Sequence, residues 1–395
     1  MFPDTASTLT RHSIYDIILL NVTIFRIAVS INIGWSSFKR YTLILSLFLC
    51  RSALWAGLEE VGVVMRRIVA VAGSVILFIF ALAQREAKGF EGPWPSLDFS
   101  GHSVFSEVHH GHYYSIGARK YLNSFTSYQF PNPFPPGQDP LSRLEFPIDQ
   151  WFAGIQTGYA ASYWAVEAQG WINLTRDARS RMQDSDWADD AAPDQKSIFS
   201  ESRCRMNRGY LLDLRVELAV ALTAPIQLRP VLGWRCESFW FTTHDGYQEE
   251  LDGRSLDLPG DGIDFRQVFY HYYFGGIFRT DLNAARFSPF LPSVRLDLQL
   301  DYGLVTAANE DLHLLRTGDR VTKENTRGHC WHVSANAGFI LRNSIKARIE
   351  ADFKRLLTNG SHRLINYPFE IDFSFDGAHV WSDQASISAV GEFSF

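Results

Sequence analysis

The chain has few cysteines and no excess of positive charge, and each shortage excludes a class of protein. Only four of its 395 residues are cysteine, and their irregular spacing gives neither a disulfide framework nor a set of metal ligands. The formal net charge is -6 and the pI is near 6.1. That balance argues against a nucleic-acid binder that works through bulk positive charge.

Long hydrophobic runs are also scarce over most of the sequence, although apolar residues are not. Apolar residues make up 46% of the chain and aromatic residues 14%, yet the mean hydropathy is only -0.10. The apolar residues must therefore alternate with polar ones. A length of 395 residues could hold two or three domains, but large β-structures often use this length for one.

One apolar run has the features of a secretory signal. Residues 65–83 begin with Met65, Arg66 and Arg67, continue through an apolar stretch to Phe80, and end in a small-residue cleavage site. The upstream residues 1–64 contain two apolar stretches, at 14–35 and 41–50. They form either a pair of poor membrane helices or a segment before the true start at Met65, and we favour the second interpretation. The exported chain would then open with an N-terminal segment, 84–117.

From about residue 118 the sequence alternates between apolar and polar residues, which is typical of strands with two unlike faces. Even positions from Leu212 to Leu222 are apolar, while Asp213, Arg215 and Glu217 lie between them. In a soluble sandwich the apolar face would pack in a core. In an outer-membrane barrel it would contact lipid, and the charged face would fill the lumen.

Strand length, the pattern of connections and the C-terminus favour the barrel. Most segments reach the roughly 9 to 11 residues that a tilted membrane strand needs, and short connections alternate with long ones. The chain ends in a strand whose last residue is Phe395. We therefore predict an all-β, ten-stranded antiparallel transmembrane β-barrel over 118–395, preceded by the signal peptide. The predicted strands are 118–130, 143–157, 162–176, 202–223, 227–243, 264–280, 292–306, 327–342, 344–356 and 378–395.

The long connections all fall on the side of the barrel opposite the termini, which places them outside the cell. They are predicted at 131–142, 177–201, 244–263, 307–326 and 357–377. Trp171, Trp234, Trp240 and Tyr302 lie near predicted strand ends and suit interfacial aromatic girdles.

Two short patches in these connections carry groups for acid–base chemistry. Asp184 and Asp186 are two positions apart, so in an extended backbone they share a face and each disturbs the ionisation of the other. Asp311 and His313 have the same spacing, and a carboxylate beside an imidazole orients the ring and raises its basicity. If the two connections meet across the lumen, these patches form one site. A solvated acidic turn and an unpartnered loop histidine are the alternatives.

Metal binding is the weaker hypothesis for the two clusters that suggest it. The run from Glu107 to His112 precedes the barrel and has no paired ligands elsewhere in the sequence. The acidic residues from Asp184 to Asp190 lack the glycine and terminal glutamate of a calcium loop. We therefore predict no metal and no cofactor.

Several motifs resemble those of the omptin family, the outer-membrane endoproteases of Gram-negative bacteria. Residues 182–187, Met-Gln-Asp-Ser-Asp-Trp, resemble the omptin motif that contains a catalytic Asp pair, and 311–313, Asp-Leu-His, resemble the motif of the catalytic Asp–His pair. Glu-Ser-Arg at 201–203 is similar to the segment whose serine, here Ser202, lies near the Asp pair. The matches follow the family's order over 118–395. The sequence also resembles the more distant outer-membrane barrels named for Protochlamydia.

The resemblance implies an aspartic-type endopeptidase in which the Asp–His pair activates a water held opposite the Asp pair, without an acyl-enzyme. It assigns Asp184, Asp186, Asp311 and His313 to catalysis. It also implies a monomer in outer-membrane lipid, folded by the barrel assembly machinery and acting on peptides or proteins, with lipopolysaccharide as a candidate requirement for activity. A non-catalytic barrel for adhesion or envelope structure is the alternative.

The positions that would recognise substrate depart from the family pattern. Omptins cleave next to basic residues because two acidic side chains line the specificity pocket. Here the corresponding positions hold Asn309 and, depending on the alignment, Gln129 or His109. We therefore expect altered substrate specificity.

Overall fold

The computed structural model describes residues 111–135, 137–161, 163–223, 226–283, 293–316, 318, 320–342 and 345–394. The predicted signal peptide, residues 1–64 and most of the segment 84–117 lie outside this range. Within it, no helix has the length and apolar character to cross a membrane. The strands are β1 (Gly111–Tyr121), β2 (Ser124–Phe130), β3 (Ser142–Ile148), β4 (Trp151–Ala160), β5 (Trp164–Asn173), β6 (Met182–Asp186), β7 (Ile198–Leu218), β8 (Val220–Thr223), β9 (Ile226–Glu250), β10 (Ser255–Asn283), β11 (Ser293–His313), β12 (Arg320–Arg342), β13 (Ile345–Asn366) and β14 (Ile371–Ser394).

The strands close into a ten-membered antiparallel ring, as the sequence predicts. In chain order around the ring, β1, β4, β5 and β7 are followed by β9 to β14, and β14 pairs with β1 in a register that sets Ala118 opposite Ala389. This ring is the lower level of the barrel. At the upper level, toward the other end of the long strands, β2, β3 and β6 replace β1, β4 and β5 between β14 and β7. The barrel therefore has ten strands at both levels.

The strands are much longer than predicted, and three of the five predicted long connections are mostly strand. The connection predicted at 131–142 does lie between strands, after β2 and before β3. β10 has 29 residues and β9 has 25, so most of the predicted connections at 244–263, 307–326 and 357–377 is strand. The second predicted connection, 177–201, contains β6 and the start of β7. β1 begins at Gly111, inside the segment expected to precede the barrel. The sheet therefore extends beyond the length needed to cross a bilayer.

On the strands of the lower level, apolar side chains that face outward alternate with polar side chains that face the lumen, as in a membrane barrel. Apolar side chains such as Ile155, Leu214 and Leu304 are exposed on its outer face. Charged residues fill the lumen, where the Nε of Arg235 donates to Asp213 at 2.7 Å. His332 contacts Asp301 and Asp352 at 2.6 and 2.5 Å. These contacts link neighbouring strands in a space that excludes bulk water, so the inner face is a network of ion pairs.

The prediction that Trp171 lies in an interfacial aromatic girdle is wrong. Trp171 is only 2% exposed, and the guanidinium of Arg119 stacks on its ring at 4.4 Å. It lies in the lumen because its neighbour Ile172 takes the outward position, with 61% of its surface exposed. Tyr302 does form part of an outer aromatic group with Phe274 and Trp331.

The upper lumen contains an apolar core instead of the predicted charged lining. Phe146 and Phe265 stack with ring centroids 4.1 Å apart, and Phe241 packs against both rings. Met182 and Leu144 belong to the same buried cluster. This plug gives the barrel above the membrane the packing of a soluble protein core and forms a floor for the groups at the rim.

The described cysteines confirm the expectation that they are ordinary residues. Cys204, Cys236 and Cys330 are free and buried. Although Cys204 and Cys236 lie on adjacent strands, Cys204 pairs with Thr243 and Cys236 with Leu212, so they are far out of register.

Candidate functional site

The acidic pair lies on a short strand at the upper rim, not in a loop. β6 is held between β3 and β7, so Asp184 has Leu144 on one side and Ser200 on the other. Residues two apart on a strand point to the same face, and Asp184 and Asp186 share the face of Met182, which is buried in the lumen core. Both carboxyl groups therefore point toward the interior of the barrel.

Asp311 and His313 are at the upper end of β11. The Nε2 atom of His313 is 3.3 Å from Oδ1 of Asp311, whose side chain is fully buried, while that of His313 is 15% exposed. β11 ends at His313, so the ring lies at the last position that the sheet still holds. The expected pairing of acid and imidazole is present in the structure.

The two patches are close enough to act on one another electrostatically. Burial raises the pKa of Asp184 well above its usual range, and the charges of Asp186 and Asp311 raise it further. Arg316 and Arg320 oppose this shift. The Oδ1 atom of Asp184 is buried without a hydrogen-bond partner in the described part of the chain. The acidic pair therefore retains a proton to higher pH than an isolated carboxyl group would.

Burial lowers the pKa of His313 below its ordinary value of 6.5. Arg320 and Arg316 act in the same direction, whereas the carboxylates of Asp311 and Asp186 raise it. Charged side chains on β6, on β11, on β12 and in the turn before β12 therefore all influence the pKa of His313. The ring is neutral near pH 7 and is able to accept a proton.

A tyrosine that the sequence analysis missed contacts the other oxygen of Asp311. Tyr128, on β2, donates its hydroxyl hydrogen to Oδ2 of Asp311. Its ring is fully buried and stacks on Phe265 with centroids 5.5 Å apart. Since 183 residues separate the two partners in sequence, only the closed barrel brings them together.

Two further buried groups lie behind Asp311. Glu324 pairs in register with Asn309, and the Nδ1 atom of His362 is 2.8 Å from Oε1 of Glu324. Burial raises the pKa of Glu324 well above its usual range, helped by the charge of Asp311. Burial also lowers the pKa of His362 to about 4. The two groups therefore form a neutral acid–imidazole pair.

The structure brings only some of the predicted recognition residues to this cleft. Asn309 is buried two residues before Asp311 on the same strand. Ser202 pairs with Met182, next to the position of Asp184 on β6. Gln129 is on the opposite face of β2 from Tyr128, where its side-chain oxygen accepts a hydrogen bond from Nε of Arg143 at 2.9 Å. His109, the other candidate, lies outside the described residues.

The described residues contain no group of three or more histidine, cysteine or acidic side chains arranged to hold a metal ion. The His-rich run that ends at His112 lies almost wholly outside the described range. At the rim, the available chemistry is that of carboxyl groups, an imidazole, a phenol and the two arginines.

Comparison with known proteins gives one family and one close fold. The model of the Omptin family matches residues 138–391. The crystal structure of the outer-membrane protease OmpT from Escherichia coli matches with 16% identity and a TM-score of 0.62, covering 73% of this chain and all of that chain. The translocator domain of the autotransporter NalP from Neisseria meningitidis matches at 8% identity with a TM-score of 0.30, covering 72% of this chain and 88% of that one. No curated protein matches the chain.

Proposed function

The chain belongs to the omptin family, and from that premise we propose that it is an outer-membrane endopeptidase. In this proposal the Asp311–His313 couple activates a water molecule, which attacks a peptide carbonyl next to Asp184 and Asp186. Family membership and the barrel fold support the outer-membrane location. The observation that carries the mechanism is the placement of both couples at the upper end of the lumen, on β6 and at the end of β11, with Nε2 of His313 3.3 Å from Asp311. The directions of the pKa shifts of Asp184 and His313 support this placement.

His313 is the general base. One ring nitrogen faces Asp311 at 3.3 Å, which leaves the other nitrogen to take a proton from water. Asp311 stabilises the imidazolium that forms, as a buried carboxylate does in other hydrolytic sites. Because the resting imidazole is neutral, its base form is present without prior loss of a proton.

Asp184 and Asp186 bind the water and the developing oxyanion. In this proposal Asp184 is protonated, a state that burial favours because it raises the pKa of this carboxyl group. The residue then donates a hydrogen bond toward the carbonyl oxygen as negative charge accumulates there. Asp186 contributes an acceptor for the attacking water. Water adds directly to the carbonyl, the C–N bond breaks, and the proton held by His313 passes to the leaving amine, so no acyl-enzyme forms.

Substrate specificity differs from the family pattern in this proposal. Neither Asn309 nor Gln129 is acidic, and Gln129 lies on the outer face of β2. The strong preference for Arg or Lys therefore loses its two usual counter-charges. We expect cleavage of peptides whose residues next to the scissile bond are not restricted to basic side chains, with Ser202 in a supporting position.

The cleft faces the exterior in this proposal. The lower ends of β1 and β14 pair at Tyr113 and Ser394, at the end of the barrel opposite β6 and the end of β11. If the termini lie on the periplasmic side, the cleft opens to the outside. A monomer folded by the barrel assembly machinery, with lipopolysaccharide as a candidate activator, completes the proposal.

Peptide cleavage by refolded protein tests the mechanism. Replacing His313 by Ala or Asp184 by Ala is expected to reduce kcat by about 100-fold or more, since each removes a group that acts on the reacting atoms. The matched control is His244→Ala. His244 also contacts an aspartate, with Nδ1 3.0 Å from Oδ2 of Asp245, but it lies on β9, where its partners across the sheet are Arg203 and Asp261.

The outcomes separate the candidate functions. Undiminished cleavage by both cleft variants contradicts the mechanism, provided that heat-resistant migration on gels shows a folded barrel. Failure of the parent protein to cleave any member of a broad peptide library, with and without lipopolysaccharide, favours the non-catalytic barrel.

A further inference from the structure

We infer that Tyr128 is a positioning residue for the proposed hydrolysis, holding Asp311 by one oxygen so that the other faces His313. The inference rests on the proposed function, because it assigns Tyr128 a role in orienting the general base. No sequence motif indicates it, since Tyr128 is far from both acidic patches in the chain. It follows from the contact of β2 with β11 through the lumen.

The first step is the division of the Asp311 carboxylate between two partners. Tyr128 donates to Oδ2, and Nε2 of His313 is 3.3 Å from Oδ1. A carboxylate held at one oxygen by a fixed donor cannot rotate freely about its Cβ–Cγ bond. The oxygen that orients His313 is thereby kept in place. In the same way, a group that hydrogen-bonds to a metal-ligating side chain fixes the orientation of that side chain.

The second step is the rigidity of the donor. Tyr128 is fully buried and its ring lies nearly parallel to that of Phe265, with an interplanar angle of 19°. Phe130 stacks on it from the same strand at 6.4 Å. Close packing restricts the phenol ring to one orientation. Its oxygen therefore points at Asp311 before any substrate binds.

The third step is that Tyr128 reaches Asp311 across the barrel and not along a ladder. In the upper ring β2 is followed by β14, β13, β12 and then β11. A contact between β2 and β11 therefore spans the lumen and fixes the distance between opposite walls. Thr126, on the same face of β2, makes a parallel link to Gln267 of β10 at 2.5 Å.

The fourth step is electrostatic. Besides His313 on its own strand, the groups that face Asp311 are Tyr128 from β2, Asp184 from β6, Glu324 from β12 and His362 from β13. Burial and the charge of Asp311 keep the pKa of Tyr128 well above its usual value of 10, so the phenol stays a donor throughout the working pH range. A neutral donor spreads part of the charge of Asp311 over the hydrogen bond and so weakens its pull on His313.

Removing the phenol oxygen of Tyr128 should change the pKa of His313 in a predictable direction. In a Tyr128→Phe variant, the charge of Asp311 acts more fully on His313, so the pKa of His313 rises. Other charged groups that face His313, namely Asp186, Arg316 and Arg320, are unchanged by the substitution. The acidic limb of the kcat/KM profile therefore moves to higher pH, while kcat falls about 10- to 100-fold because the carboxylate is less well oriented.

The matched control is Tyr273→Phe. Tyr273 also donates its hydroxyl hydrogen to a buried aspartate, at 2.7 Å from Oδ1 of Asp213, and is 3% exposed. It lies lower in the lumen, on β10. Both substitutions remove one oxygen and one Tyr–Asp hydrogen bond, so only the location differs. The control is expected to leave the pH profile unchanged.

The experiment measures the pH titration of His313 by NMR on the refolded barrel with labelled histidine, together with kcat/KM from pH 5 to 9. The His313 signal is assigned by its loss in a His313→Asn variant. A titration that moves to higher pH in Y128F but not in Y273F supports the inference. Equal behaviour of the two variants, or a shift to lower pH, overturns it.

Two arrangements keep the inference testable. If the parent protein does not cleave peptides, the proposed function fails, yet the His313 titration still reports whether Tyr128 controls Asp311. If Y128F does not fold, incorporation of a fluorinated tyrosine at position 128 keeps the ring and makes its hydroxyl a stronger donor. The His313 titration should then move to lower pH, and no movement overturns the inference.

Discussion

Phe265→Ala tests whether the aromatic plug supports the cleft. Phe265 is fully buried and lies between the rings of Phe146 at 4.1 Å and Tyr128 at 5.5 Å, with Phe241 at 6.3 Å. Tyr128 in turn contacts Asp311. Loss of the Phe265 ring therefore removes support from both the core of the upper lumen and the cleft.

The expected destabilisation is large. Replacing a buried phenylalanine by alanine costs about 3 to 5 kcal/mol, since the loss of transfer free energy is joined by a cavity that relaxes only partly. Stacked aromatic pairs add about 0.5 to 1.5 kcal/mol beyond the buried area. With three aromatic neighbours around the ring, we expect the upper part of that range, about 4 to 5 kcal/mol.

The assay is equilibrium unfolding in urea, with the protein in detergent micelles and tryptophan fluorescence as the signal. Phe369→Ala is the matched control, because Phe369 is 59% exposed in the short turn before β14 and its loss should cost less than about 0.5 kcal/mol. A loss below about 1 kcal/mol for Phe265→Ala, or equal losses for the two variants, would refute the conclusion that the plug is a tightly packed core.

Two further predictions concern pH. Burial lowers the pKa of His313 below 6.5. The kcat/KM of the parent protein should therefore stay level as the pH falls from 8 to about 6.5 and should decline only below that value. A decline that begins above it contradicts the assignment of His313 as the neutral base. Glu324 keeps its proton in the folded state, whereas in the unfolded chain it ionises through pH 4.5, so it reduces stability as the pH rises above that value. The free energy of unfolding of a Glu324→Gln variant, measured in urea, should therefore improve relative to the parent between pH 4.5 and 8, and a constant difference across that range would argue against a protonated Glu324.

The ten strands could be predicted because their signal is local. Leu212, Leu214 and Val216 on β7 alternate with charged residues, and the structure exposes all three on the outer face. Alternation of this kind requires no knowledge of the partner strands. The strand count and the ring closure follow from it once the strands are long enough to cross a bilayer.

The extension of the strands above the membrane could not be predicted, because the apolar face changes along β10 and turn-forming residues follow above that change. On β10 the outward side chains near the membrane are apolar, such as Tyr272 and Phe274, which are 64% and 59% exposed. Higher up the apolar residues are Phe265 and Phe269, which are fully buried in the lumen. Between Asp264 and Phe278 the even positions face outward, but apolar character moves from even to odd positions. The predicted strand 264–280 includes this reversal. The residues above it contain Pro259, Gly260 and Gly262, which a sequence analysis assigns to a loop.

The supporting groups of the cleft were missed for a different reason. Glu324 lies opposite Asn309 only through the register of β11 and β12. Tyr128 meets Asp311 only after the ring closes. The register of two strands, and the side chains that meet across the closed ring, depend on strand pairs that a single sequence does not specify. The two Asp-containing patches could be found, because their chemistry is contained in three residues each.

The extension of the sheet changes how the cleft should be understood. On flexible loops, the two couples would have to be ordered when substrate binds, at a cost in conformational entropy. Here Asp184 is held by ladders on both sides, and Asp311 is paired with Phe265 on β10 and Thr322 on β12. The backbones of both couples are therefore fixed before substrate arrives, and the Phe265–Tyr128 stack fixes one of the side chains. Pre-organised groups of this kind suit a reaction in which a weak nucleophile such as water must be held and activated without a covalent intermediate.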